Sequence, residues 1–164
     1  SSGLMAAACG DGCIRIVDVH SGGIVETIAA HSQACMTVSY DPSGNRLISG
    51  GKDAHLNVWD TESWEPIHSI PAHNYAIYSL AFSPDGSWMA SGSRDKTVKL
   101  WNRETVTFNI RLDKEKTEGH THSVNKVLWL KDPDVLVTTG DDRTVRMWRI
   151  SAETVDTIAR EATG

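Results

Sequence analysis

Three sets of hydroxyl, histidine and aspartate residues recur in the chain at a fixed spacing, and these residue types can together perform nucleophilic catalysis. In each set a serine or threonine follows the histidine by 18 positions, an aspartate comes 4 later and a tryptophan 6 after that. The sets are His31, Ser49, Asp53, Trp59; His73, Ser91, Asp95, Trp101; and His120, Thr138, Asp142, Trp148. A catalytic triad occurs once per active site, so three copies at one spacing predict a structural role.

The three sets belong to a longer internal repeat. The tryptophans are separated by 42 and then 47 residues, so the extra five residues of the last period lie between Trp101 and His120. A fourth, degenerate copy precedes the others: it keeps Asp11 but has Val17 at the tryptophan position and Ala7 at the serine position. We expect this copy to lack its histidine and its first strand.

Each repeat is predicted to form short antiparallel strands. The segment 77–82 alternates and is rich in residues that favour strands. Residues 83–86, Ser-Pro-Asp-Gly, are typical of a tight turn, and strands over 89–92 and 97–101 follow. The segments 25–28 and 67–70 supply an outer fourth strand for the two preceding copies. Four antiparallel strands in about 40–45 residues are typical of one blade of a β-propeller.

The stretch Leu80–Gly86, continued by Ser91–Trp101, resembles the WD-repeat family of β-propellers, and the resemblance extends over residues 4–160. It implies an all-β fold with four blades per chain. It also implies that the histidine, serine or threonine, aspartate and tryptophan of each set form a hydrogen-bonded tetrad within a blade. The chain departs from the family pattern in its first copy and at Ala30 and Ala72, where the family prefers glycine.

The repeat divides the chain into four predicted blades: an incomplete blade over 1–30, complete blades over 31–71 and 72–113, and a blade over 114–164 with an expanded loop at 113–118. That loop is highly charged, and we expect it to be solvated. Four WD-type blades suit a ring of about seven or eight blades better than a ring of four. Either the chain is part of a longer propeller, or a homodimer closes an eight-blade ring.

The leading functional hypothesis is a non-catalytic protein–protein interaction scaffold. Its binding surface is predicted at the end of the blades that carries the aspartate turns and histidine loops, because loops on rigid scaffolds often carry binding. The candidate partner-binding residues are Met36, Tyr78, Asn125, Lys52, Arg94 and Asp141. Tyrosine and arginine most often anchor interfaces, so Tyr78 and Arg94 lead this set.

The alternative hypothesis is a propeller that binds a small ligand or a metal in a central channel, or one that serves as a domain of a larger enzyme or assembly. The residues predicted on the first strands are too apolar and too varied for a metal ring: Met36, Val38, Tyr78, Leu80, Asn125 and Val127. Cys9 and Cys13 form a C-x3-C pair with no second pair to complete four ligands. We therefore expect no metal, no cofactor and no enzymatic activity.

Composition narrows the classes of partner further. The net charge is −5, from 16 basic and 21 acidic residues, which argues against a nucleic-acid partner. No apolar run approaches about 18 residues, so we expect no membrane span. The three cysteines, Cys9, Cys13 and Cys35, do not form a disulfide framework, and Cys35 aligns with core positions. A reducing compartment, the cytoplasm, is the expected location.

Overall fold

The computed structural model describes residues 3–131 and 135–151, and most of this part of the chain is antiparallel β-sheet. The described strands form four separate sheets in sequence order. The second and third sheets have four strands each, and the first and fourth have three in the described residues. These sheets are the four predicted blades, and the all-β WD-repeat fold class is confirmed. We number the blades 1 to 4 in chain order.

The chain divides into two compact units at the bond between Tyr78 and Ser79. The first unit contains blades 1 and 2, whose strands are β1 (Leu4–Ala8), β2 (Cys13–Asp18), β3 (Ile24–Ala29), β4 (Cys35–Tyr40), β5 (Arg46–Gly51), β6 (His55–Asp60) and β7 (Pro66–Pro71). Strand β7 is the edge of its sheet, the position where a strand tolerates proline because no ladder hydrogen bond is lost.

The second unit contains blades 3 and 4. Its strands are β8 (Ile77–Phe82), which begins two residues before the division, β9 (Trp88–Ser93), β10 (Val98–Asn102), β11 (Phe108–Leu112), β12 (Val124–Trp129), β13 (Val135–Gly140) and β14 (Val145–Arg149). A short helix, α1 (Lys114–Thr117), separates β11 from β12. The predicted last blade, 114–164, extends at 132–134 and 152–164 outside the described residues.

Alternating side chains of the strands build the core of the first unit. Ile14 and Ile16 lie on the face of β2 that packs against blade 2, where they meet Leu47 and Trp59. Both isoleucines are fully buried. Full burial of such a side chain contributes about 1.5–3 kcal/mol, so the contact between these two sheets is a main source of stability in this unit. Cys35 is buried in the same cluster, as its alignment predicts.

The core of the second unit lies between blades 3 and 4 and has the same arrangement. Val98 and Leu100 of β10 pack against Val127 and Leu136 of blade 4. The Val127 backbone N–H also donates to the Ser79 hydroxyl, 3.2 Å away, so a buried polar contact fixes the two sheets relative to each other within this unit.

A left-handed backbone residue follows the repeated aspartate in every blade. Gly12, Ala54, Lys96 and Arg143 all have φ between 63° and 88°, although this region favours glycine. In the first unit the carbonyl of this residue reaches the next histidine loop. The Gly12 oxygen accepts from the N–H groups of Ala30 and His31, and the Ala54 oxygen accepts from those of Ala72 and His73. The aspartate turn of one blade therefore positions the histidine loop that follows it.

The segment 113–118, expected to be a solvated loop, is exposed at Lys114, Glu115, Lys116 and Glu118 but contains one helical turn that the sequence did not predict. Residues Lys114–Thr117 form one helical turn, and Asp113 is its N-cap, with a side chain that accepts from the Lys116 N–H at 3.0 Å. Asp113 is buried and forms an ion pair with Arg111 at 2.7 Å. The N–H of Gly119, the residue that precedes His120 of blade 4, donates to the Asp113 carbonyl. An N-cap satisfies helix N–H groups that a charged loop would leave to water.

Substitution of Gly12 tests the turn-to-loop contact. A Cβ at Gly12 would lie 2.5 Å from the His31 carbonyl oxygen, whereas Gly22 is also left-handed, with φ of 71°, and has no atom within 4 Å of its Cβ position. We expect Gly22→Ala to cost about 1 kcal/mol from backbone strain alone. Gly12→Ala should cost about 1–3 kcal/mol more, because the clash adds to the strain. Urea denaturation of both variants measures the difference, and equal losses would contradict the contact.

Candidate functional site

Blade 2 assembles its four repeated residues into a hydrogen-bonded chain at one end of the sheet. His31 Nδ1 lies 3.0 Å from Asp53 Oδ1, and His31 Nε2 lies 2.9 Å from the Ser49 hydroxyl. The Trp59 indole N–H donates to the same hydroxyl at 3.2 Å. Because the carboxylate can only accept, Nδ1 of His31 carries the proton and Nε2 accepts from Ser49. These hydrogen bonds join the turn before β6 to the last residues of that strand.

Blade 4 repeats this chain with threonine in place of serine. His120 Nδ1 lies 2.9 Å from Asp142 Oδ2, and Nε2 lies 2.8 Å from the Thr138 hydroxyl. The Trp148 indole N–H donates to that hydroxyl at 2.9 Å. A threonine hydroxyl accepts and donates at the same positions as a serine hydroxyl, so the substitution preserves the chain.

Blade 3 has the same residue types, and its tryptophan makes the same bond. The Trp101 indole N–H donates to the Ser91 hydroxyl at 2.9 Å, and both residues are buried. Asp95 accepts from the backbone N–H and the hydroxyl of Thr97, at 3.0 and 2.6 Å. His73, which belongs to the first unit, is also buried.

Blade 1 satisfies its aspartate differently. Asp11 is half exposed, and both its oxygens accept from the Arg15 guanidinium, the shorter contact being 2.6 Å. The hydrogen bond from Arg15 and that from the Cys13 N–H lower the Asp11 pKa to about 2. Asp11 thus forms a solvated ion pair with a residue of the adjacent strand β2.

Burial and hydrogen bonding oppose each other at the buried aspartates. Burial would raise the pKa of Asp53, but hydrogen bonds such as that from the His55 N–H keep the pKa below its usual value. Asp142 has the same balance, with the Thr144 hydroxyl as its main donor, and its pKa is well below the usual range. Burial lowers the pKa of His31 more than the Asp53 carboxylate raises it. At neutral pH His31 is therefore a neutral imidazole beside an ionised Asp53.

The buried hydroxyls cannot act as nucleophiles on an external substrate. Ser49, Ser91 and Thr138 have no exposed surface, and each accepts from a tryptophan indole. A nucleophile must lie at an accessible site with room for the reacting carbon. The sets are therefore structural elements of the blades.

In the first unit, the candidate binding residues Met36 and Lys52 lie close together at this end of blade 2. The pairing of β4 with β5 shifts between Cys35 and Thr37, so Met36 is the extra residue of a β-bulge, and the residue is 39% exposed. Lys52 is exposed, and its N–H donates to the Ala34 carbonyl in front of β4. Tyr78 is half-buried.

In the second unit, blade 4 brings together the candidates Asn125 and Asp141. The pairing of β12 with β13 shifts between Val124 and Lys126, which makes Asn125 the extra residue of the same type of bulge. The Asn125 amide donates to the Asp141 carboxylate at 2.5 Å, and both side chains are exposed. Arg94, in the aspartate turn of blade 3, is also exposed.

Sequence reasoning missed one prominent residue at this end. Tyr75 lies in the histidine loop, two residues after His73, and 58% of its surface is exposed. The position of Tyr75 in the repeat could have identified it, because the equivalent residues Gln33 and His122 are also exposed in their loops. An exposed tyrosine beside a buried tetrad histidine is a candidate contact of the same kind as Tyr78.

Among residues 3–131 and 135–151, no group of three or more histidine, cysteine, aspartate or glutamate side chains could hold a metal ion. The three cysteines are unpaired thiols, and burial raises the pKa of Cys35 to about 11, so it stays protonated. Within the described residues, no helix has the length and apolar character needed to cross a membrane.

The tetrad tryptophan should stabilise blade 3 far more than its counterpart stabilises blade 1. Trp101 is buried and contacts the Phe108 ring edge-on at 5.8 Å, while Val17 is only partly buried. We expect Trp101→Ala to cost about 3–5 kcal/mol, as truncation of a large core aromatic does. Val17→Ala should cost about 1 kcal/mol. Denaturant melts of the two variants measure both losses of stability. Equal destabilisation would contradict the larger structural role assigned to Trp101.

The pKa of His31 predicts how stability depends on pH. Its folded pKa is below the unfolded value of about 6.5, so the unfolded chain takes up a proton first and stability falls as the pH drops below about 6.5. The depressed pKa values of Asp53 and Asp142 add a second fall below about pH 3.9. Urea midpoints between pH 7 and 5 should fall less steeply for His31→Gln than for the wild type. The exposed His68→Gln is the control, and an identical slope in all three proteins would refute the assignment.

A family description, "WD domain, G-beta repeat", matches residues 22–60, 64–102 and 113–149. Each matched segment ends one residue after a tetrad tryptophan. Domains of this family are generally non-catalytic and typically mediate protein interactions.

Curated relatives are similar over parts of their length. The DENN domain and WD repeat-containing protein SCD1 of Arabidopsis thaliana is 30% identical over 92% of this chain, which spans 9% of that protein. The WD repeat-containing protein 91 homolog of Dictyostelium discoideum is 40% identical over 35% of the chain and 7% of its own length. The Retinoblastoma-binding protein 5 homolog of Drosophila melanogaster is 35% identical over 35% of the chain and 12% of its own length. The chain spans only about a tenth of the relatives it matches. With more than half of its residues in the three matched segments, the chain belongs to the WD-repeat family.

Proposed function

We propose that the protein is a non-catalytic scaffold that binds other proteins through the aspartate-turn and histidine-loop end of its blades. The observation that carries this proposal is the bulge in the first strand of blades 2 and 4. It adds one residue, Met36 or Asn125, at the end of the strand beside the aspartate turn. Bulges of this kind re-aim a side chain away from the ladder.

The rigidity of the blades supports the same proposal. Tetrads in blades 2 and 4 fix the turn and loop backbones, so the exposed residues beside these two tetrads, Met36, Lys52, Asn125 and Asp141, lose little freedom when a partner binds. In the first unit the exposed set is Met36, Lys52 and Tyr75. In the second unit it is Arg94, Asn125 and Asp141. Each unit therefore offers a mixed charged and apolar surface, which is typical of an interface.

The relatives give this proposal a class of partner. The name of the Drosophila melanogaster relative, Retinoblastoma-binding protein 5 homolog, describes a protein that binds another protein. We propose protein partners for this chain, and neither nucleic acid nor membrane. The net charge of −5 supports the first exclusion. We place the protein in the cytoplasm, where thiols such as those of its three cysteines stay reduced.

Charge reversal tests the proposed surface. Arg94→Glu should weaken capture of the partners that the wild-type protein recovers from a lysate by about tenfold or more, as loss of an interface anchor does. The melting temperature should change little, since Arg94 is exposed and exposed substitutions stay within about 0.5 kcal/mol. Tyr78→Ala, Lys52→Glu and Tyr75→Ala extend the test to the first unit.

The matched control is Lys131→Glu, which reverses an exposed cation beyond the opposite end of β12 from Asn125. It should leave capture unchanged. If Arg94→Glu, Tyr78→Ala, Lys52→Glu and Tyr75→Ala all leave capture unchanged as well, the aspartate-turn end is not the binding surface.

A further inference from the structure

The first unit has an open cleft beside the blade 2 tetrad. Its volume is about 440 Å³, and it lies where the end of β3 meets the aspartate turn and the outer strands of blade 2. Ser32, Asp53, His55, Asn57 and Ser69 supply its polar lining. Asn57 and Ser69 are direct cross-strand neighbours on β6 and β7, so their side chains lie on the same face of the sheet.

The other three blades place a cation where blade 2 has Asn57. The equivalent residues, two positions before the repeated tryptophan or its replacement, are Arg15, Lys99 and Arg146. Arg15 forms an ion pair with the aspartate of its own turn, and the ammonium of Lys99 lies over the Phe108 ring at 5.4 Å. Arg146 donates to the Glu118 carbonyl in front of the histidine loop. The short asparagine leaves this place in blade 2 without a cationic side chain.

The groups around the cleft are mostly acceptors. Asp53 is ionised at neutral pH while its partner His31 is neutral, so the tetrad carries a net charge of −1. His55 Nδ1 donates to the Asp53 carbonyl at 3.0 Å, which leaves Nε2 of His55 as an acceptor.

Asn57 adds an acceptor that has no partner. The residue is 7% exposed, and its amide nitrogen donates to the Ala30 carbonyl at 2.5 Å. Its Oδ1 is buried and has no hydrogen-bond partner in the described residues. A buried acceptor without a donor is unfavourable, so this atom favours a ligand that brings a donor.

We propose that this cleft is a socket for a lysine or arginine side chain of a partner protein, which pairs with Asp53 as Arg15 pairs with Asp11 in blade 1. The ammonium or guanidinium group lies against the Asp53 carboxylate, and Ser32, Ser69 and His55 offer further acceptors. The methylene stem of such a side chain packs on apolar surface, which Ala29 and Ala30 provide at the rim. A free metal ion does not suit a cleft of this volume with a single carboxylate.

The socket rests on the proposed function, because it lies at the same end of blade 2 and specifies the chemistry of the partner. It makes a separate prediction, however: the cleft should bind an isolated basic side chain with no other partner contact. The two proposals can therefore be tested independently.

The test uses nuclear magnetic resonance of the 15N-labelled 164-residue chain with two short peptides. One is acetyl-Gly-Ser-Lys-Ser-Gly-amide, and the other has norleucine, which is neutral, in place of lysine. We expect the lysine peptide to shift the side-chain amide of Asn57 and the backbone amides of Ser32 and Ser69 at millimolar concentration. The norleucine peptide should leave them unmoved, and added salt should weaken the lysine shifts.

The variant Asn57→Lys supplies a cation at the position that Arg15 has in blade 1, so it should lower the affinity for the lysine peptide about tenfold. The matched control is Asn45→Lys. It adds the same charge in an exposed turn before β5, at the end of that strand away from the aspartate turn, and it should bind the lysine peptide like the wild type. Thermal melting verifies that both variants fold.

Equal shifts from the two peptides, unchanged binding by Asn57→Lys, or no shift with either peptide would overturn the socket. If the socket fails while Arg94→Glu still weakens partner capture, the proposed function stands. If the lysine peptide binds as expected but none of the surface variants affects capture, the socket stands and the proposed function fails. The peptide comparison on the wild-type chain needs no variant to fold.

Discussion

A partly buried carboxylate that accepts from the Nδ1 of a histidine is the constraint on which blades 2 and 4 depend. An ionised aspartate in a partly buried turn is stable only if donors surround it, and a histidine ring, backbone N–H groups and nearby hydroxyls supply them. Once the imidazole donates at Nδ1, its Nε2 must accept, which fixes the hydroxyl on the neighbouring strand and through it the tryptophan indole. One electrostatic requirement thus orients four side chains from a loop, a turn and two strands.

In blade 1 the repeated aspartate has different partners. Its aspartate stays near solvent and pairs with an arginine two strand positions beyond the turn. A solvated pair of this type contributes little to stability, and Val17 fills less space than a tryptophan. In blade 2 the aspartate accepts from a histidine, and Asn57 stands at the position that Arg15 has in blade 1. The same face of the sheet therefore carries a closed ion pair in blade 1 and an open cleft in blade 2.

The sequence predicted the sheets and the repeated positions because both follow from periodicity. The strand-favouring residues of a segment such as 77–82 predict a strand, and equal spacing of His31 and His120 from their aspartates implies equal geometry. It did not predict the bulges at Met36 and Asn125, because one extra residue in a strand leaves no mark on residue type.

Helix α1 was missed for a different reason. Its four residues are too few to show helical periodicity, and its stability comes from the Asp113 cap and the ion pair with Arg111. The cleft beside Asn57 was also hidden, since it depends on the length of one side chain relative to its three equivalents. A feature that depends on how one residue fits its surroundings can be identified only in the three-dimensional structure. A feature that follows from a repeated pattern can be predicted from the sequence.

The backbone contact from each aspartate turn to the next histidine loop links successive repeats of the first unit. The carbonyls of Gly12 and Ala54 precede in sequence the loops whose N–H groups they accept, so each turn leaves the ribosome before its loop. Because such a contact stabilises both of its sides, a substitution in a turn should also weaken the loop of the next repeat, and a substitution in that loop should weaken the turn. Stability in this unit is therefore shared between neighbouring repeats and does not belong to single blades.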